Sequence, residues 1–282
     1  MLNLGVHVSA AGKVCYVFDR AKRLGCTTFQ FFASNPRQWR KGPLADEDIA
    51  EFNTKRKALG IKPVVIHIPY TLNLAAAKES FYAITLREFA DALLEANDLG
   101  VEYLVTHPGS YKKISHDEGL KKVINGLTNI FDNTRNCKTK VLLENTAGSG
   151  CWLGSKFTEL NAIIAGVNRP DRLAVCLDTA HAWAAGYKID TPAGIDDMLD
   201  EITDTIGIDT VRVVHLNDNP KNLGANKDQH AHIGKGKIGL SGVRALINHE
   251  KMRHAAFILE TPKENEDDDM INLQTVRKLY KE

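Results

Sequence analysis

Apolar and polar positions follow a repeating beat along this chain: a short aliphatic, β-branched or aromatic run, then a longer polar stretch with apolar residues at helical spacing. Eight short runs occur: LGVHV at 4–8, TTFQFF at 27–32, VVIHI at 64–68, EYLVTH at 102–107, VLLEN at 141–145, LAVCLD at 173–178, VRVVHL at 211–216 and AAFILE at 255–260. The stretches between them read as helices over 19–25, 46–60, 81–100, 118–133 and 191–207, several closing on a glycine where a helix C-cap would sit. Near-continuous apolar strands are buried on both faces, the signature of a parallel sheet covered by helices. Eight units in 282 residues average about 35 residues each, the repeat of an α/β (β/α)8 TIM barrel. A doubly wound open sheet is the structural alternative. No composition shift or linker divides the chain, so one domain over 1–282 is expected, with the acidic run 264–269 as a solvated loop before the last helix.

Six consecutive runs finish in a metal-capable side chain: His67, His107, Glu144, Asp178, His215 and Glu260. In a TIM barrel all C-terminal strand ends open onto one mouth, where active sites are built. A single histidine at a strand end is ordinarily a hydrogen-bonded structural residue, and Asp178-x-x-His181 alone could be a helix N-cap. Six in succession demand more, because a charged group ending an apolar strand is costly unless paired or metal-bound. Adding His181 and the pair Asp228-x-His230 gives nine candidates, five histidines and four carboxylates. One tetrahedral zinc takes about four ligands, so nine suit three ions, particularly if one carboxylate bridges. The imidazole–carboxylate mixture favours zinc over magnesium, and manganese or iron can take one position. Several closely spaced cations point to chemistry on a phosphate ester. No Ser/His/Asp arrangement, phosphate-cradling Walker loop or dinucleotide fingerprint competes.

Charge adds a constraint. With 36 Lys+Arg against 35 Asp+Glu the formal net charge is +1, which excludes nucleic-acid binding by bulk attraction but not by a local cationic groove. Three Zn²⁺ ions would raise the total to about +7 and make the mouth cationic. The five cysteines, at 15, 26, 137, 151 and 176, include no C-x-x-C pair and read as reduced thiols. No apolar run approaches the roughly 18 residues of a membrane span, and the N-terminus lacks the features of a signal peptide. A cytoplasmic protein with no membrane contact is expected.

The stretches GVHVSAAGK, QFFASNPRQW, HIPYTLNLA, THPGSY, LLENTAGSG, VCLDTAHAWAAGY, HLND, DQHAHIGKGKIG and ILETP occur in this order. Together they make the sequence resemble the endonuclease IV family of DNA-repair enzymes over nearly its whole length. The resemblance implies a trinuclear zinc barrel that cleaves duplex DNA on the 5′ side of abasic sites, leaves a 3′-hydroxyl and a 5′-deoxyribose phosphate, and trims blocked 3′ ends. By the same resemblance His67 and His107 hold one ion. Glu144 bridges it to a second, which also takes Asp178, His215 and Glu260, and the third takes His181, Asp228 and His230. Glu144 and Glu260 are the implied catalytic residues, acting in hydroxide activation as well as ligation, with Glu260 reading equally as a pure ligand. The damaged nucleotide must leave the stack for its phosphate to be reached. Arg37 and Gln38, in the loop after the second run, and Tyr70, in a neighbouring loop, are the expected DNA contacts, and a monomer is expected.

Some positions depart from the family pattern. Thr71 stands where an apolar wedge is common, Gln229 replaces an arginine between Asp228 and His230, and Ala180 replaces a cysteine beside His181. The first two weaken expected DNA affinity, while none touches the nine candidate ligands. His7 is expected to play a supporting part rather than to ligate. The turn Gly234–Gly239 reads either as a cradle of backbone N–H groups for a phosphate or as a structural turn. Two rival functions fit parts of this pattern, a metal-dependent sugar isomerase or epimerase and a non-catalytic binder of damaged DNA.

Overall fold

In the computed structural model, which describes residues 2–32 and 44–281, the eight apolar runs form eight parallel strands. They are β1 (Leu4–Val6), β2 (Phe29–Phe32), β3 (Val64–His67), β4 (Tyr103–Thr106), β5 (Lys140–Glu144), β6 (Leu173–Asp178), β7 (Val211–His215) and β8 (Ala256–Leu259). Their order is β1-β8-β7-β6-β5-β4-β3-β2, each paired with its sequence neighbour and β1 with β8. The barrel closes between β1 and β2 through a parallel bridge of His7 with Gln30. Two backbone bonds support it, Val8 N–H to Gln30 O at 2.7 Å and Thr27 N–H to Leu4 O at 3.0 Å. Gly5 permits this seam: a Cβ there would lie 1.7 Å from the Thr28 carbonyl oxygen, so any side chain would force the two strands apart.

Helices α1 (Tyr16–Arg23), α2 (Asp46–Leu59), α3 (Glu79–Asp98), α4 (His116–Asn133), α5 (Phe157–Val167), α6 (Thr179–Ala184), α7 (Pro192–Thr205), α8 (Gly239–Ile247) and α9 (Asp268–Leu279) cover the barrel. Local signals set their ends. Ser115 and Glu118 form a capping box that starts α4 two residues earlier than its apolar periodicity suggests. Thr191 caps α7, with Pro192 at its first position. Gly60 ends α2 in the left-handed region, at φ 61°. Residues 264–267 of the acidic run are exposed, but its last two residues open α9, where Asp268 is buried and accepts from the N–H groups of Glu264 and Asn265.

Strand alternation divides the apolar residues into two cores. Outward residues such as Phe29, Phe31 and Phe257 pack with helix residues such as Phe18, Phe52, Phe89, Phe131 and Phe157. Inward residues form a separate cluster inside the barrel: Val65, Val105, Leu142, Ala174, Cys176, Val213 and Ile258, with Tyr103 against it. All five cysteines are free thiols, four of them buried. Among the described residues no helix is long and apolar enough to cross a membrane.

Candidate metal centre

Side chains two apart on a strand share a face, and this rule builds the site. Two residues beyond the inward Val65, Val105, Leu142, Cys176, Val213 and Ile258 stand His67, His107, Glu144, Asp178, His215 and Glu260. Each of six strands thus carries an apolar inward residue and then a candidate ligand at its C-terminal end. Four of those ligands, His67, Glu144, Asp178 and His215, are the last residues of their strands, and His107 and Glu260 follow one residue beyond theirs.

The tips converge into three groups whose ligand atoms lie within 4.8 Å of one another: His67, His107 and Glu144; Asp178, His181 and His230; and Glu144, Asp178, His215 and Glu260. Asp228 joins the second group through Oδ1, 3.1 Å from His181 Nε2 and 3.7 Å from His230 Nε2. All nine residues singled out in the sequence therefore meet at one end of the barrel. Glu144 belongs to two groups, as the resemblance implies. Asp178 also belongs to two, which a one-to-one assignment does not anticipate. Its Oδ1 accepts the His181 N–H at 2.7 Å and caps α6, so capping and site membership are not exclusive readings of Asp178-x-x-His181.

The donor set fits divalent ions. Backbone carbonyls accept from one ring nitrogen of three histidines: His67 Nδ1 to Ile68 O at 2.6 Å, His181 Nδ1 to Asn145 O at 2.9 Å and His230 Nδ1 to Glu260 O at 3.0 Å. A carbonyl only accepts, so Nδ1 carries the proton and, in the neutral ring, Nε2 keeps a lone pair aimed into the groups. Nε2 of His230 is buried without a hydrogen-bond partner, and that of His181 makes no well-formed hydrogen bond although Asp228 Oδ1 lies 3.1 Å away. Such orphaned atoms are costly unless something binds them, and a histidine held by its other nitrogen is the usual metal-ligand arrangement.

The matching family model, xylose isomerase-like TIM barrel, spans residues 18–280. Probable endonuclease 4 of Aquifex aeolicus is 41% identical over 280 residues, 99% of this chain and 98% of that protein. Probable endonuclease 4 of Halothermothrix orenii is 37% identical over 275 residues, 96% of this chain and 99% of that protein. The crystal structure of endonuclease IV from Thermus thermophilus superposes with a TM-score of 0.88 at 37% identity, covering 98% of each chain. The chain belongs to the endonuclease IV family.

In this family member the site is an electrostatic network. Burial disfavours charge on Glu144, yet the imidazoles of His107, His215 and His181 outweigh it and hold the carboxyl well below its usual range. Glu260 is likewise lowered, with burial overcome chiefly by the His215 imidazole. Burial pulls the His107 imidazole down to about 4. It also disfavours charge on His181, where Asp178, Asp228 and Glu144 prevail and push the ring well above its ordinary value.

Several residues of this chain escape a search for charged strand ends. Asn217 Nδ2 donates to Asp178 Oδ2 at 2.7 Å, and its Oδ1 accepts the Glu260 N–H at 2.9 Å. Asn145 Nδ2 donates to the Asp178 carbonyl at 3.0 Å and its Oδ1 accepts the Asp178 N–H at 2.6 Å. The only local signal for either is its place beside a ligand, in LLEN and HLND. Gln30, buried in β2, was visible only as a polar residue inside an aromatic run. His7 contacts Gln30 and lies 3.5 Å from Glu260 Oε1, in keeping with a supporting part.

At the mouth, Tyr70 is 52% exposed, with its ring 5.2 Å from that of His67 and 5.8 Å from that of His107. The half-buried Trp152 also meets His107 edge-on at 5.8 Å, a second aromatic that spacing did not flag. Thr71 and Gln229 are both exposed. Arg37 and Gln38 lie outside the described residues. The turn Gly234–Gly239 is structural: the N–H groups of Gly234, Gly236, Ile238 and Gly239 donate to the buried carboxylate of Asp218. A protein carboxylate already occupies the cradle the glycines make, and a Cβ on Gly236 would lie 2.3 Å from it.

Proposed function

We propose that this chain is a DNA-repair endonuclease that hydrolyses the phosphodiester 5′ to abasic sites in duplex DNA, leaving a 3′-hydroxyl and a 5′-deoxyribose phosphate, and that it also trims blocked 3′ ends. The observation that carries the reading is the convergence of nine ligand-capable side chains into three overlapping groups on one face of a barrel of this family. In this reading the chain holds three zinc ions, with manganese or iron accepted at one position. His67, His107 and Glu144 serve the first, Glu144, Asp178, His215 and Glu260 the second, and His181, Asp228 and His230 the third. Bound there, zinc supplies an activated water, charge neutralisation on the phosphate and stabilisation of the leaving oxygen.

The chain's own residues do the rest. Glu144, shared between two groups, fixes their separation, and with Glu260 it sets the negative charge around the attacking water. Tyr70, beside His67 and His107, offers a ring face to an extruded nucleotide. Arg37 and Gln38 supply contacts to the DNA strands. Asn217 and Asn145 keep the Asp178 carboxylate and backbone in place. The protein acts as a monomer in the cytoplasm.

The test is metal analysis of the purified protein together with incision of a duplex carrying one abasic site, before and after chelation. Three ions per chain and zinc-restorable incision to a 3′-hydroxyl are expected. One or two magnesium or manganese ions with ketose formation would move the chain to the sugar isomerases. Tight binding of abasic DNA without cleavage by the zinc-loaded protein would make it a damage-binding module.

A further inference from the structure

Three of the clustered histidines are oriented by the main chain, as described above. His215 is oriented by a side chain. Its Nε2 lies 2.9 Å from Oε1 of Gln30, a fully buried residue of β2, the strand that follows His7 around the barrel and supplies none of the nine candidate ligands. The same amide reaches Glu260, with Nε2 2.6 Å from Glu260 Oε1, and faces His7 Nδ1 at 3.1 Å.

The chemistry of these partners allows one arrangement. The ionised Glu260 carboxylate only accepts, so the amide must turn its NH2 toward it. That orientation leaves the amide oxygen facing His215. An amide oxygen also only accepts, so the proton of a neutral His215 sits on Nε2. The second amide proton finds Nδ1 of His7. The two requirements agree, and with an ion bound they would leave the His215 Nδ1 lone pair to the metal, in place of the hydrogen bond that this nitrogen makes to Glu144 Oε1. The nitrogen lies 3.0 Å from Glu144 Oε1, 3.2 Å from Glu260 Oε2 and 4.0 Å from Asp178 Oδ2. Glu260 is sorted in the same way, with Oε1 held by Gln30 and Oε2 turned toward His215 Nδ1.

We propose that Gln30 is a positioning residue, whose single amide selects Nδ1 of His215 and Oε2 of Glu260 as the donor atoms for the ion of the four-residue group. This rests on the metal reading above. A backbone carbonyl cannot be mutated away, whereas Gln30 can, so among the described residues this group alone has a removable histidine anchor.

Gln30→Met keeps an unbranched chain of similar length and removes all three amide contacts. The variant and wild-type proteins, each purified with zinc, are compared by metal content along a chelator series, with thermal melts of the fully chelated forms as the folding control. The expected result is an unchanged chelated melt and loss of one ion in three at a chelator concentration about 10- to 100-fold lower, the usual effect of removing a residue that orients a ligand. A wild-type release profile in Gln30→Met, with three ions bound, overturns the proposal and leaves the metal reading intact. A wild-type protein that binds no stoichiometric ion overturns the metal reading itself and this proposal with it. A second measurement needs no variant: imidazole ¹⁵N shifts of the zinc-loaded wild type should show His215 bound through Nδ1 with a proton on Nε2. Binding through Nε2 would overturn the proposal even if Gln30→Met failed to fold.

Discussion

Two levels of the barrel interior, one rung apart, behave as different materials. The lower is Val65, Val105, Leu142, Cys176, Val213 and Ile258, with Ala174 beneath Cys176, all buried and apolar. The upper is His67, His107, Glu144, Asp178, His215 and Glu260, nearly as buried but made of groups that burial penalises. The backbone is the same in both and the strands are the same. What differs is where stability comes from. The lower level gains by leaving water, whereas the upper level persists because its polar atoms, the unpartnered His107 Nδ1 apart, meet a carbonyl, an amide, an opposite charge or, in the proposed holoenzyme, an ion. The comparison teaches that this site sits on the fold rather than in it: the floor can be built without ions, and the ring cannot be satisfied without partners.

Substitutions at the two levels should therefore separate function from stability. Glu144→Ala removes the carboxylate shared by two groups, and incision of abasic duplex should fall by more than about 100-fold, beyond the range of residues that merely support a ligand. The chelated protein should stay folded, as circular dichroism would show. Near-normal incision would break the claim that the shared carboxylate joins two groups. One rung down on the same strand, Leu142→Ala should cost about 2–5 kcal/mol of stability by denaturant titration and keep wild-type zinc content. A loss of zinc without a loss of stability would erase the distinction between the levels. Tyr70→Ala, at the rim above both, should weaken abasic-DNA binding by about 1–3 kcal/mol, the value of one stacking contact. Metal content and thermal stability should not change, and equal loss of affinity for intact duplex would argue against contact with an extruded nucleotide.

Much of this was legible in the sequence, for a physical reason. A strand buried on both faces is read as an apolar run, so a histidine or carboxylate ending six such runs stands out against its background. The spacing of those runs marks the barrel, and the barrel brings their ends together. Residues without that contrast stayed hidden. Asn145 and Asn217 are uncharged amides one and two residues after a ligand, and their roles depend on which groups lie across the strand boundary. Gln30 acts on residues 185 and 230 positions away, a distance at which sequence carries no trace of contact. The glycine-rich turn invited a phosphate because its donors are local, while the carboxylate that consumes them, Asp218, lies 16 to 21 residues earlier. The double membership of Asp178 was likewise out of reach, since spacing assigns each residue once and geometry does not.

The apolar floor also fixes the traffic of the site. Seven inward side chains, none more than 3% exposed, plug the barrel axis below the ligand ring. Among the described residues these side chains fill the axis, so water, ions and chelators would reach the ligand ring through the mouth that DNA would cover. The barrel is a cup with a single doorway, so a bound substrate would act as its stopper and lock in whatever ions were present when it arrived.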